Sequence, residues 1–315
     1  MRGRGDVHSC RRSVMAENGR NRYPTTFLAL LEATRPRQWI KNLLLFAPLL
    51  FAKKLGDPAR LLQSVGAFVL FCSLSGVVYL LNDILDLDRD RLHPLKSQRP
   101  LASGRISLTT ALSGAIVLFM LAMAASFTLS LPFGAVGLIY VLLNLVYSLW
   151  LKEVVIIDVM AIAFGFVLRA LAGAVAINVE ISPWLILCTI LLSLFLAFCK
   201  RRQELESLVE DAGDHRASLR EYSVAFLDQM ISIVTASTVV CYCFYTFSPE
   251  VEHKLGTRYL FLTIPFVLYG IFRYLYLVHQ KGHGGSPTAA LLTDRPLLLS
   301  VALWAVVAAL ALYVA

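Results

Sequence analysis

Residues 82–105 read NDILDLDRDRLHPLKSQRPLASGR and lie between two long apolar runs, Leu61–Leu81 and Leu108–Leu129. Four aspartates (Asp83, Asp86, Asp88, Asp90) and five cations (Arg89, Arg91, Lys96, Arg99, Arg105) fall within this stretch. Asp83, Asp86 and Asp90 step by three and four residues, so on a helix they share a face within about 60°. Carboxylates gathered on one face repel unless positive charge sits between them. A hard divalent cation with oxygen ligands answers that need. The alternative is a solvated loop whose charges orient a membrane protein, but solvation alone does not require this placement at a helix end.

The flanking runs set the fold class. Of 315 residues, 57% are hydrophobic and 16% charged, with mean hydropathy +0.68. Several runs reach the roughly 20 apolar residues that cross a bilayer. The chain therefore reads as an all-α integral membrane protein. A short, Pro48-containing first span is expected at about 40–52, entered through Arg35–Asn42 with an interfacial Trp39. Eight more are expected at about 61–81, 107–129, 131–150, 154–177, 183–199, 225–247, 259–278 and 296–314. Residues 1–34 read as a disordered cytoplasmic tail, and 35–315 as a single nine-helix transmembrane domain.

With the N-terminus cytoplasmic, alternate loops carry 22 lysines and arginines on that side against five on the other. The positive-inside rule then puts the N-terminus and the aspartate-rich stretch at the cytoplasmic face of the cell membrane. The net charge of +8 is accounted for by this topology, so no nucleic-acid partner is called for. The six cysteines show no metal spacing and read as small apolar residues.

Other polar residues stand out because they interrupt apolar runs. Asp158 and Arg169 lie inside the fifth expected span, where an unpaired charge costs at least about 2.5 kcal/mol. Eleven residues apart, they are rotated by about 20° and separated by about 16 Å, sharing a face without touching. Gly165 and Gly173 lie near that face, which should look into the bundle. Lys152 and Glu153 could be interfacial anchors. Lys200 and Arg201 could be snorkelling cations that end a span. Asp294 reads as a helix cap. No Walker loop, GxGxxG after a strand, GxSxG or HExxH is present.

The pattern N-D-x-x-D-x-x-x-D (Asn82, Asp83, Asp86, Asp90), followed by Arg99-Pro100-Leu101 in a chain of nine spans, resembles the UbiA-type superfamily of intramembrane prenyltransferases. The segment Lys200-Arg201-Arg202-Gln203-Glu204-Leu205 stands where many members carry a second aspartate-rich motif. That segment, Arg35–Asn42, Tyr147 with Lys152, and Leu168–Gly173 resemble the decaprenyl-phosphate phosphoribosyltransferase branch.

The resemblance implies a Mg²⁺-dependent transfer of 5-phosphoribose from phosphoribosyl pyrophosphate to a polyprenyl phosphate. It also implies roles. Asp83 and Asp86 would hold the metal with help from Asn82 and Asp90. Lys41, Lys96, Arg99, Lys152, Arg169, Lys200 and Arg201 would meet the phosphates, and Tyr147 would position substrate. A donor bearing two phosphorylated positions, with a lipid phosphate beside it, suits a site rich in cations. The alternative within the fold is transfer of an isoprenyl group to an aromatic or other acceptor. A transporter would place its charges at mid-membrane in broken, repeated helices. The sequence allows a homo-oligomer and does not specify one.

Overall fold

The computed structural model describes residues 26–208, 219, 221–282 and 285–314, and every regular element among them is helical. Eight helices are long and apolar enough to span a membrane. They are α3 (Pro58–Leu85), α5 (Leu108–Leu129), α6 (Leu131–Leu149), α7 (Ile157–Ala176), α8 (Pro183–Leu208), α9 (Val224–Phe247), α11 (Ile264–Lys281) and α13 (Arg295–Tyr313). Shorter pieces join them: α1 (Thr26–Ala33), α2 (Ala47–Phe51), α4 (Leu87–Leu92), α10 (Pro249–Leu255) and α12 (Pro287–Thr293).

The ninth crossing is made differently. Pro36–Phe46 is a 3₁₀-helix that runs into α2. Eleven residues at 2.0 Å and five at 1.5 Å cover roughly 30 Å, the thickness of a hydrocarbon core. Its start is tied to the end of α3 through Arg35 and Asp83. Just beyond its far end, the Leu55 N–H donates to the Tyr313 hydroxyl (3.0 Å) at the end of α13. The first expected span is therefore present as a crossing, in a tighter helix than its length suggested. A 3₁₀ run this long is uncommon, and side-chain contacts hold it. Asn42 is buried and donates to Ser75 Oγ (3.3 Å). Gly173 on α7 has no side chain to keep the Leu45 backbone away.

Local signals set the other boundaries. Asp57, Ser107, Ser130, Ser223 and Asp294 each accept backbone N–H hydrogen bonds at the starts of α3, α5, α6, α9 and α13. Such caps satisfy donors that a helix start leaves free. Asp294 is thus the cap expected, and it also accepts from Arg273 (2.8 Å). The expected tail needs correction at its end. Thr26–Ala33 is helical, with Ala29 and Ala33 buried against Leu80, Leu101 and Ala111. Its small alanines let it lie close to α3 and α5. Residues 1–25 of that tail lie outside the described residues.

Consecutive long helices pack side by side from α5 to α9, α3 lies against α5 and α6, and α11 lies against α13. Thr288 on α12 donates to Gln38 (3.3 Å), which joins the last part of the chain to the first. Alternate helix ends therefore meet at one end of the bundle: the C-terminal ends of α3, α6 and α8 and the N-terminal ends of α7 and α9. The polar side chains gather there.

Candidate active site

The carboxylates of the opening stretch do not stay on one helix face. α3 stops at Leu85, Asp86 takes the C-cap position (φ −98°, ψ 11°), and α4 begins at Leu87. That break splits the expected trio. Asp83 and Asp90, both buried, are bridged by Arg99, whose Nη1 lies 3.1 Å from Asp83 and also bonds Asp90. Asp83 takes a second guanidinium from Arg35. Asp86 turns the other way and accepts from Lys152 Nζ at 2.9 Å. Asn82 accepts from Ser148 Oγ at 3.2 Å. Among the described residues no three His, Cys, Asp or Glu side chains converge as a metal cluster. The three carboxylates expected on one helix face are instead separated by cations among the described residues. The physical reason is charge: a guanidinium between two buried carboxylates relieves the repulsion they would otherwise feel.

Arg35 was absent from the expected site residues because 48 positions separate it from Asp83. Its backbone lies in the left-handed region (φ 54°, ψ 66°), which a non-glycine residue adopts at a cost. Its guanidinium lies 4.9 Å from the centre of the Tyr79 ring. A cavity of about 260 Å³ opens beside it, lined by Glu32, Arg35, Asp83, Gln98 and Arg99. The rim is fastened where Arg105 clasps Glu32 with two hydrogen bonds (2.7 and 2.8 Å), and those bonds hold the Glu32 carboxyl below its ordinary range. A larger hollow of about 550 Å³ lies between α9 and α11 and shares no lining residue with this cluster.

A second network joins α6, α7 and α8. Arg201 is wholly buried; its Nε donates to Asp158 (2.6 Å), its Nη2 to the Tyr147 hydroxyl (2.9 Å), and its Nη1 to Glu204. Tyr222 also donates to Asp158 (2.9 Å), and burial keeps that phenol protonated. Arg201, expected to meet phosphate, thus directs three hydrogen bonds to Asp158, Glu204 and Tyr147 in the structure. Asp158, Tyr222 and Glu204 were not expected site residues. The signal for Asp158 was its position inside an apolar run.

Arg169 looks into the bundle as expected, but its partners are neutral. It donates to Asn42 Oδ1 (2.8 Å), the Gly165 carbonyl (2.9 Å) and the Tyr140 hydroxyl (2.8 Å). Lys41, on the turn beside Asn42, makes no hydrogen bond and no ion pair among the described residues. Burial bears on this side chain first, and its charged neighbours among the described residues are Lys200, Arg169 and Arg35, all cations. Lys200 is half-buried and spans 3.4 Å to Glu204. Lys96 is exposed. Positive charge thus accumulates inside this end of the bundle with too few carboxylates to balance it, and such a place attracts phosphate oxygens.

A model of the UbiA prenyltransferase family matches residues 43–293. The chain belongs to that family. Its curated relatives include the decaprenyl-phosphate phosphoribosyltransferase of Mycolicibacterium smegmatis, 34% identical over 286 residues, 87% of this chain and 89% of the relative. The enzyme of the same description from Corynebacterium glutamicum is 32% identical over 306 residues, covering 95% and 91%. Among solved structures, a UbiA homolog from Archaeoglobus fulgidus bound to DMAPP and Mg²⁺ superposes with TM-score 0.66 at 20% identity, covering 91% of this chain and 99% of that one. That likeness concerns the fold. The protein is a multi-pass UbiA-family transferase, as the aspartate pattern led us to expect.

Proposed function

We propose that this UbiA-family protein transfers 5-phosphoribose from phosphoribosyl pyrophosphate to the phosphate of a polyprenyl lipid, with Mg²⁺, at the cytoplasmic face of the membrane. The observation that carries the reading is Lys41: a half-buried ammonium without a counter-ion among the described residues, with Lys200, Arg169 and Arg35 as its charged neighbours. Such a group suits the phosphate oxygens of a substrate. Two phosphorylated substrates meeting at one site would bring several. The relatives named as decaprenyl-phosphate phosphoribosyltransferases support the choice of donor and acceptor. The loop charges, 22 cations against five, support the cytoplasmic orientation.

Asn82, Asp83 and Asp86 offer only oxygen donors, which fits a hard divalent cation. Bound there, Mg²⁺ would supply positive charge to the leaving diphosphate. Lys152, already beside Asp86, and Arg99 are placed to take the remaining diphosphate charge. Lys41 and Lys200 hold phosphate deeper in the mouth, while Arg169 fixes Asn42 on the same helical turn as Lys41. Tyr147 is oriented by Arg201. The bond from the anomeric carbon to diphosphate breaks, and a lipid phosphate oxygen bonds that carbon. Because the lipid phosphate is already an anion at neutral pH, no strong general base is needed, and electrostatic stabilisation of the departing group carries the rate.

The test offers purified protein radiolabelled phosphoribosyl pyrophosphate with decaprenyl phosphate, and separately prenyl diphosphate with aromatic acceptors. Label should enter lipid only with the first pair, and Asp83→Asn should abolish that transfer. Product from the second pair alone would overturn the proposal.

A further inference from the structure

The unexpected feature of the site is what holds Asp83. Its buried carboxylate is engaged by two guanidiniums arriving from opposite directions in the chain, Arg35 before the first crossing and Arg99 after α4. Arg99 reaches Asp90 as well, so two carboxylates and two guanidiniums form a charge-balanced cluster. Arg35 is delivered there by a left-handed backbone, and both arginines border the cavity of about 260 Å³ that opens beside the cluster. The same oxygens are those a divalent cation would need.

We infer that Arg35 and Arg99 form a guanidinium latch on Asp83, released when a divalent cation and a diphosphate arrive together. This inference rests on the proposal above that a metal–diphosphate substrate binds at Asp83. Charge balance dictates the order of events. A cation arriving alone must displace two guanidiniums and then sit beside them, leaving the cluster with excess positive charge in a partly buried place. A diphosphate alone meets a cluster whose cations are already satisfied. Arriving together, they exchange partners: the carboxylate passes to the metal and the guanidiniums pass to diphosphate oxygens. Arginine suits this exchange because its planar fork binds carboxylate and phosphate in the same geometry. Each partner then binds more tightly in the presence of the other, and by linkage the enhancement is reciprocal. A site built this way does not sequester free metal, and it commits its carboxylate only when a leaving group is present.

The test measures Mn²⁺ retained by the full-length protein in detergent, by ultrafiltration, with and without inorganic pyrophosphate. Wild type should hold Mn²⁺ at least tenfold more tightly with pyrophosphate than without. Arg35→Gln should tighten Mn²⁺ binding alone by at least threefold and shrink the pyrophosphate enhancement. Asp83→Asn should retain no Mn²⁺ in either condition. The wild-type comparison needs no variant to fold. If wild type binds Mn²⁺ as tightly alone as with pyrophosphate, or if folded Arg35→Gln binds Mn²⁺ alone no better than wild type, the latch is refuted and the metal site stands. If Mn²⁺ is never retained, the metal site and the latch fall together.

Discussion

Gly173→Ala tests whether the 3₁₀ crossing is what places the candidate site. A Cβ on Gly173 would fall inside contact distance of the Leu45 carbonyl oxygen, 2.8 Å from its carbon and 2.9 Å from the Leu45 Cα. These atoms are backbone, so no side-chain rotation relieves the contact, and the crossing must retreat by roughly half an ångström or more to regain van der Waals separation. Overpacking of this kind costs about 1–3 kcal/mol, and a backbone obstacle belongs at the upper end. At about 2–4 °C per kcal/mol for a large domain, melting should fall by roughly 5–10 °C. The same displacement moves Asn42, one 3₁₀ turn before Leu45, away from Arg169 Nε at 2.8 Å. A hydrogen bond to a charged group contributes about 1.5–3 kcal/mol, so turnover should drop about ten- to a hundredfold as Lys41 loses its placement. Gly66→Ala on α3 is the control, because nothing lies within 4 Å of its added Cβ. It should leave melting unchanged or raise it, since alanine is the better helix former by about 1 kcal/mol. Thermal unfolding followed by tryptophan fluorescence, together with the transfer assay, reads both variants. Wild-type melting and turnover in Gly173→Ala would refute the reasoning.

Three further outcomes follow from the site. Lys41→Met should raise the KM for a phosphorylated substrate by about ten- to a hundredfold, from the loss of charge-assisted contacts, while melting stays at or above the wild-type value because Lys41 has no hydrogen bond or ion pair to lose among the described residues; an unchanged KM would remove it from the site. Asp158→Asn should destabilise the protein by about 1.5–3 kcal/mol, because it removes the charged acceptor at Nε of the wholly buried Arg201 and leaves Glu204 as its carboxylate partner; chemical denaturation in detergent measures this, and a loss under about 1 kcal/mol would show the Asp158 contact to be dispensable. Glu32, held below the ordinary carboxylate range by Arg105, should lend the rim stability that is present above the ordinary carboxylate pKa and lost as pH falls through its lowered value. Carboxyl NMR should find Glu32 titrating lower in wild type than in Arg105→Gln, and equal midpoints would deny the clasp.

Much of this protein is written in one dimension. A bilayer demands continuous apolar helices about 30 Å long, so length and hydropathy mark each span. All nine expected crossings have a counterpart, and α3 and α8 run beyond the apolar stretch only where polar residues carry them out of it. Asp83 also declared itself, as a carboxylate at the end of such a run. Charges inside apolar runs, Asp158 and Arg169, were legible as features that need partners, because burial makes isolation expensive.

Which partners they found was not legible. Arg35 reaches Asp83 across 48 residues, Lys152 reaches Asp86 across 66, and Arg201 reaches Asp158 across 43. Ion pairing depends on distance in space, and these distances exist only after the helices have packed. The same applies to the aspartates of residues 82–90. Spacing alone put Asp83, Asp86 and Asp90 on one face, but a helix break at Asp86 and two arginines from elsewhere in the chain redirected them. The sequence determined that carboxylates and cations would gather at one end of a helical bundle, since solvation forces charge to the ends of membrane spans. Tertiary packing decided which cation neutralises which carboxylate, and left Lys41 without a carboxylate among the described residues.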